Sequence, residues 1–305
     1  MKRDFANGEM REILRYAARR MQGRAERFTG PMLDGVHLHA VHHGSAGRAK
    51  LVLLHGAGAN AHWWDHLAPT LAERFHVVAL DFRGHGDSDF PEQLRAGAFS
   101  EDLDALLEHR SAPEAILVGH SLGAHVALAH AARSATTPAL VLLDLTRGAS
   151  RSRERATRLA LSLSPTYSSR QQAIRRFRLL PRAHHADEET RRRIAAHSVR
   201  READGRFGYK FDPRWFGVPP RSRPDLADIR CPTLLLRGQE SALLSREGAL
   251  EIVAKIPDAR LVEIPGAGHH VHIDRPTRVL PAMLEFLSHH GCADAPPPSD
   301  AHRRS

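Results

Sequence analysis

The chemistry in this chain centres on Ser121, which stands between Gly119 and Gly123 in the run Ala115 to Ala124, A-I-L-V-G-H-S-L-G-A. Ala115 to Val118 reads as a buried strand and the Ala-rich run Ala124 to Arg133 as a helix, so Ser121 falls on a strand-to-helix turn. A turn that tight strains the serine backbone and lifts its hydroxyl above the sheet. The residues two before and two after it must be nearly free of side chain. The motif is short enough to arise by chance, so the rest of the chain must supply a base and oxyanion donors.

A serine hydroxyl is a poor nucleophile until a base takes its proton. With 22 histidines in the chain, position rather than type must select one. Gly266-Ala267-Gly268-His269 follows the last expected strand, which places His269 at the same sheet edge as Ser121; His270 and His272 read as packing neighbours. An acyl-transfer intermediate also needs backbone N–H groups aimed at its oxyanion. One is the Leu122 amide, at a helix start where the dipole favours negative charge. The other is expected from Ala57, between Gly56 and Gly58 in the loop after Leu54.

Several elements must position these groups. Strands are expected at Lys50 to Leu54, His76 to Leu80, Ala139 to Leu143, Thr233 to Leu236 and Arg260 to Ile264. Helices are expected at His62 to Arg74 (capped by Asn60), Phe99 to His109, Ser245 to Lys255 and Thr277 to Ser288. This alternation predicts an α/β fold with a mostly parallel, doubly wound sheet. Phe28 to Leu33 and Val36 to Val41 flank Asp34-Gly35, a two-residue hairpin signal. The pattern breaks at Gly148. The expected organisation is an amphipathic N-terminal helix in 1–24, a core in 25–148 and 225–290, an Arg-rich helical cap in 149–224, and a disordered tail in 291–305. Cap helices are expected at Ser152 to Leu163, Arg170 to Leu179 and Glu188 to Arg200.

The 305 residues, 42% hydrophobic, suit one large domain. No apolar run approaches the roughly 20 residues that span a bilayer. The first 23 residues lack the apolar centre of a signal peptide, and Cys231 and Cys292 form no disulfide framework or metal spacing. A cytoplasmic protein without metal is the expectation. Residues 151–224 hold 18 Arg and 1 Lys against 7 acidic residues, a net +12, whereas the whole chain is +9. No nucleic-acid-binding motif accompanies this charge, so nucleic acid is not an expected partner. The charge lies over the expected pocket mouth and points to anionic substrates. A solvated Arg-rich face is the plain alternative. Nothing in the sequence fixes an oligomeric state.

The motifs His55-Gly56, Asp81-x-Arg83-Gly84-His85-Gly86-x-Ser88, Gly119-His120-Ser121-Leu122-Gly123 and Gly268-His269, in that order, resemble the α/β-hydrolase fold superfamily in its capped esterase and lactonase-like branch. The resemblance covers roughly Phe28 to Leu287. It implies Ser121 as nucleophile, His269 as base, Ala57 and Leu122 as the oxyanion hole, and a structural loop at Asp81 to Asp89 in which His85 packs. The family usually carries its acid in a Gly-x-x-Asp loop after the strand read here as Thr233 to Leu236. This chain has Gly238-Gln239-Glu240-Ser241 instead. Asp144, at a strand end that some members use for the acid, is the expected replacement because the ladder beneath it holds its backbone. Glu240, on a longer side chain in a loop, is the alternative acid, and a degraded triad with no catalysis is the third case.

The expected function is a cofactor-independent serine hydrolase cleaving a carboxylic ester, thioester or lactone of a small acyl substrate through an acyl-enzyme. The alternative is a non-catalytic ligand-binding or scaffolding protein of the same fold, supported only by the missing acid. A dinucleotide site is a third reading, since Gly56-Ala57-Gly58-Ala59-Asn60-Ala61 matches G-x-G-x-x-A with Asp81 ending the next strand. Trp63, Trp64 and His120 are candidate pocket residues, with core packing expected for at least one tryptophan.

Overall fold

The computed structural model describes residues 23–30, 33–148, 150–163, 165–183, 185–218 and 224–292. Residues 1–22, where the N-terminal helix is expected, and the tail from Ala293 lie outside the described residues.

Along the chain, β1 Arg24–Phe28 and β2 Leu38–His43 precede β3 Lys50–Leu54, α1 Ala68–Leu71 and β4 His76–Asp81. Helix α2 Ala98–His109 leads to β5 Ile116–His120, α3 Leu122–Ala131 and β6 Leu140–Leu143. The next segment holds α4 Arg151–Ser162, α5 Arg170–Arg176, α6 Glu188–His197 and the short strands β7 Val199–Arg201 and β8 Phe207–Tyr209. Then come β9 Thr233–Gly238, α7 Arg246–Val253, β10 Ala259–Ile264, α8 Val271–Asp274 and α9 Pro276–His289. The strand order in the main sheet is β1-β2-β4-β3-β5-β6-β9-β10. Strand β2 runs antiparallel to both its neighbours, and the six strands from β4 to β10 are parallel. The mostly parallel α/β sheet is as expected.

Alternate residues of each central strand enter different cores, as the two-residue period of a strand dictates. Val52, Leu54, Leu117, Leu140 and Leu142 join one cluster with Leu103 and Leu106 of α2, Ala124 and Leu128 of α3, and Ile252 of α7. Leu51, Leu53, Val118, Val141 and Leu143 join the other with Trp64, Phe75, and Val279 and Met283 of α9. Burying each such side chain stabilises the fold by about 1.5–3 kcal/mol, so apolar burial on both faces fixes the strand ends. Among the described residues, no helix is long and apolar enough to cross a membrane.

Three local expectations are corrected. Asp34 and Gly35 do turn the chain, at φ 49° and 80°, but the hairpin is not built on them. Strand β2 pairs with β1 in the register Phe28↔Leu38 and Arg24↔His42, so a longer connection joins the two. The expected helix from His62 to Arg74 is broken: Asn60 caps a 3-10 turn at Ala61–Trp64, and α1 restarts with Pro69 in its first turn. The segment after β6 is not purely helical, because β7 and β8 pair antiparallel beside its helices. It docks on the core through Leu179, Ala183, Ala186 and Ile194, packed with Ala59, Trp63 and Ile273.

Candidate active site

Strands β5, β6 and β9 lie side by side in register, His120↔Leu143 and Leu143↔Leu236. The residues just past their ends therefore share one edge of the sheet.

Ser121 stands at φ 51°, ψ −111°, on the side of backbone space that non-glycine residues rarely occupy. Its N–H donates to Leu143 O at 3.1 Å, and α3 begins at the next residue. A Cβ on Gly119 would lie 2.4 Å from Gly123 O, and one on Gly123 would lie 2.2 Å from Leu54 O. Glycine at both positions is thus a steric condition for β5, α3 and β3 to meet here.

His269 Nδ1 donates to Asp144 Oδ1 at 2.7 Å, both side chains being fully buried. This bond assigns the proton to Nδ1 and leaves Nε2 as the acceptor. Asp144 sits just after β6 at φ 44°, its own N–H donating to Leu236 O at 2.9 Å. Its Oδ2 accepts from the Gly238 N–H at 2.9 Å and its Oδ1 from the Ser241 hydroxyl at 2.5 Å. The Ser241 oxygen in turn accepts from the Leu243 and Leu244 amides at 3.2 and 3.1 Å. Burial pushes the Asp144 carboxyl above its ordinary value, against the His269, Ser241 and Gly238 donors that favour its charged form.

Glu240 is not brought to the site. Its side chain is 52% exposed, with Oε2 3.5 Å from His185 Nε2. The residue at the position expected for the family's acid, Ser241, instead donates to the Asp144 carboxylate.

Ser121 and His269 line one cavity of about 160 Å³ with Gly56, Ala57, Trp63, His120 and His270. Glu154, Thr157, Arg158 and Leu161 of α4, with Leu180 and Phe216, wall it from the inserted segment. Thr146 and Leu243 complete the lining. Trp64 is core, stacked on His272 with ring centres 4.6 Å apart. These wall residues escaped the sequence reading, because nothing local shows how α4 is docked. In the loop after β3 and at the start of α3 the amides of Ala59, Gly123 and Ala124 are spent on Gly56, His55 and Ser121 carbonyls. The Ala57 and Leu122 amides carry no such backbone bond among the described residues.

The other histidines near the site are neutral partners. Burial, reinforced by neighbouring imidazoles, holds His120 and His272 well below their ordinary value and takes His270 down to about 3. His120 Nε2 donates to His269 O at 3.1 Å and His270 Nε2 to Pro181 O at 2.9 Å, each fixing a loop. His55 Nδ1 donates to Gly56 O at 2.7 Å while its Nε2 accepts from the Phe82 amide at 3.2 Å, setting the loop that holds Ala57. The glycine-rich loop after β4 is structural. Asp81 accepts from His39 Nδ1, Ala61 N and Asp87 N at 2.7, 2.6 and 2.9 Å, and Arg83 Nε donates to Asp102 at 2.6 Å. His85 packs there, buried and lowered to about 3. With its oxygens so engaged, Asp81 is not free for ribose hydroxyls.

Among the described residues, two groups bring histidine and carboxylate atoms within 4.8 Å of one another: His39, Asp81, Asp87, and His62, Asp65, His197. The first is the loop network just described. In the second, the His62 and His197 rings are stacked, centres 3.9 Å apart and planes 24° from parallel. A ligated ion lies in the plane of each imidazole, which two stacked planes do not share, so this is not ligation geometry.

A sequence profile described as the alpha/beta hydrolase family matches residues 51–282. The chain is 28% identical over 244 residues to a 2-(acetamidomethylene)succinate hydrolase of Mesorhizobium japonicum, covering 78% of this chain and 87% of that protein. It is 30% identical over 252 residues to an esterase of Mycobacterium tuberculosis, covering 78% and 81%. The crystal structure of E-2-(acetamidomethylene)succinate hydrolase superposes with a TM-score of 0.74 at 25% identity, covering 87% of this chain and 99% of the other.

Proposed function

The chain belongs to the alpha/beta hydrolase family, and on that premise we propose that it is a cofactor-independent serine hydrolase acting on a carboxylic ester, thioester or lactone through an acyl-enzyme. The observation that carries the reading is the His269–Asp144 bond at 2.7 Å beside a strained Ser121 in the same cavity.

Ser121 Oγ attacks the acyl carbon, and its proton passes to His269 Nε2. Asp144 holds the Nδ1–H tautomer and stabilises the imidazolium as it forms. The carbonyl electron pair moves onto oxygen, facing the Ala57 and Leu122 amides, where preorganised donors are worth several kcal/mol. When the intermediate collapses, the bond to the alcohol or thiol breaks and His269 returns the proton to that leaving group. Water then repeats the cycle on the acyl-serine, releasing the acid. The segment between β6 and β9 acts as a cap, since its residues wall the cavity opposite Ser121. Its walls suit a small-molecule acyl substrate.

The test is a fluorophosphonate probe with p-nitrophenyl acetate turnover. Labelling on Ser121 alone, and loss of both signals in a folded Ser121→Ala protein, is the expected result. Labelling elsewhere or unchanged turnover would refute the mechanism.

A further inference from the structure

Helix α4 presents two adjacent faces. Thr157 and Leu161 look into the cavity above Ser121. Arg151, Arg155 and Arg158, at positions i, i+4 and i+7, line an open groove of about 540 Å³ on the other side. Glu154, Arg158 and Phe216 border both spaces, so the groove lies directly beside the cavity.

Arg151 and Arg155 stand as like charges at i, i+4, while Glu154 stands at the favourable i, i+4 spacing from Arg158. Like charges at i, i+4 destabilise a helix. Among the described residues, no carboxylate pairs with Arg151, Arg155 or Arg158, and Arg158 donates only to the Phe216 carbonyl. Arg214 across the groove is already held by Asp212 and by the Pro91 and Glu92 carbonyls.

We propose that this groove holds the leaving group of the substrate, and that the leaving group is a phosphate-bearing alcohol or thiol. The inference rests on the serine-hydrolase reading and adds the substrate class. The division of space supports it. The inner cavity, at about 160 Å³, is below the roughly 300–1,000 Å³ of sites that enclose a drug-sized ligand. It takes a short acyl group, while the groove is larger and open for departure. The spread of charge supports phosphate over a single carboxylate. Seven residues of helix separate Arg151 from Arg158, about 10 Å at 1.5 Å per residue. A carboxylate engages one guanidinium fork, whereas phosphates spaced along a longer group engage all three.

The experiment compares kcat/KM for acetyl-coenzyme A, acetyl-pantetheine and acetyl-thioglycolate, which share one acyl group and one reacting bond. At low salt the coenzyme A thioester should be favoured over the pantetheine thioester by at least about tenfold. The preference should collapse in 0.5 M salt, where the screening length is only a few ångströms, and in the Arg151→Gln/Arg155→Gln protein. Equal rates at low salt, or a preference that survives in the double variant, would overturn the proposal. A thioglycolate ester matching coenzyme A would replace phosphate by carboxylate. Binding of coenzyme A to the Ser121→Ala protein, followed by calorimetry, separates the two readings. Salt-sensitive micromolar binding supports the groove even where no acetyl substrate turns over, and absence of binding overturns it even where Ser121 is labelled.

Discussion

Asp144 Oδ1 accepts from His269 Nδ1 at 2.7 Å across 125 positions of sequence. The carboxylate arrives at the end of β6 rather than from the loop after β9. Asn is a clean probe here, because Asp and Asn both tolerate the left-handed backbone seen at φ 44°. Asp144→Asn should keep the fold but favour the tautomer that points a proton at Ser121; in serine proteases that change lowers kcat about 10⁴-fold. Glu240→Gln should cost less than about tenfold. The reverse ordering in steady-state kinetics would move the acid to Glu240.

Ser241 is expected to be a positioning residue. Its hydroxyl reaches the same Asp144 oxygen at 2.5 Å and is itself fixed by two backbone amides. Ser241→Ala removes a donor to a buried charge, a change worth about 1.5–3 kcal/mol. We expect kcat to fall at least about tenfold and the melting temperature to drop by several degrees, since about 1 kcal/mol shifts it by about 2–4 °C in a chain of this size. Wild-type kcat would show that the Gly238 amide alone holds the carboxylate.

Gly123→Ala should fail structurally. The added Cβ would meet Leu54 O at 2.2 Å and His55 O at 2.8 Å, both backbone atoms that cannot yield without parting α3 from β3. A loss of more than about 3 kcal/mol, or insoluble protein, is expected. Gly30→Ala is the control, since among the described residues its Cβ would meet only Ala105 at an ordinary 3.8 Å; urea midpoints for the two should differ widely. Similar midpoints would mean that the elbow is not sterically closed.

Acid should unfold the protein through its buried histidines. Burial lowers His85 and His270 from the ordinary 6.5 to about 3. Their contribution is therefore complete above pH 6.5, declines as the unfolded chain alone binds protons, and is gone below about pH 3. Each costs about 1.4 kcal/mol per pH unit inside that window. Two such groups remove about 3 kcal/mol per unit from a total of about 5–15 kcal/mol. Urea midpoints should thus fall steadily from pH 6 to pH 4, and a flat profile would contradict neutral burial.

The strands were readable because a parallel sheet buried on both faces writes them as unbroken apolar runs, as at Leu51 to Leu54 and Leu140 to Leu143. The elbow was readable because sterics leave only glycine at 119 and 123. The Asp34-Gly35 signal was true of the turn and silent about pairing, which the sheet decides. Three-residue strands β7 and β8 carry too little alternation to show. The acid stayed ambiguous because chain order hides that β6 lies between β5 and β9. Once that order is known, Asp144 is the carboxylate beside His269, while Glu240 turns to the surface.

The pairing of Ser241 with Asp144 also bears on how such a site could drift over generations. A carboxylate at each of these strand ends would put two like charges on one imidazole nitrogen, and one of them would take up a proton. An ancestor carrying both would gain nothing from the second. Once the strand-end aspartate is in place, a short uncharged donor at the other position relieves the repulsion and steadies the survivor. The two positions should therefore vary together among descendants: aspartate after β6 with a hydroxyl after β9, or the opposite arrangement, and seldom acids at both.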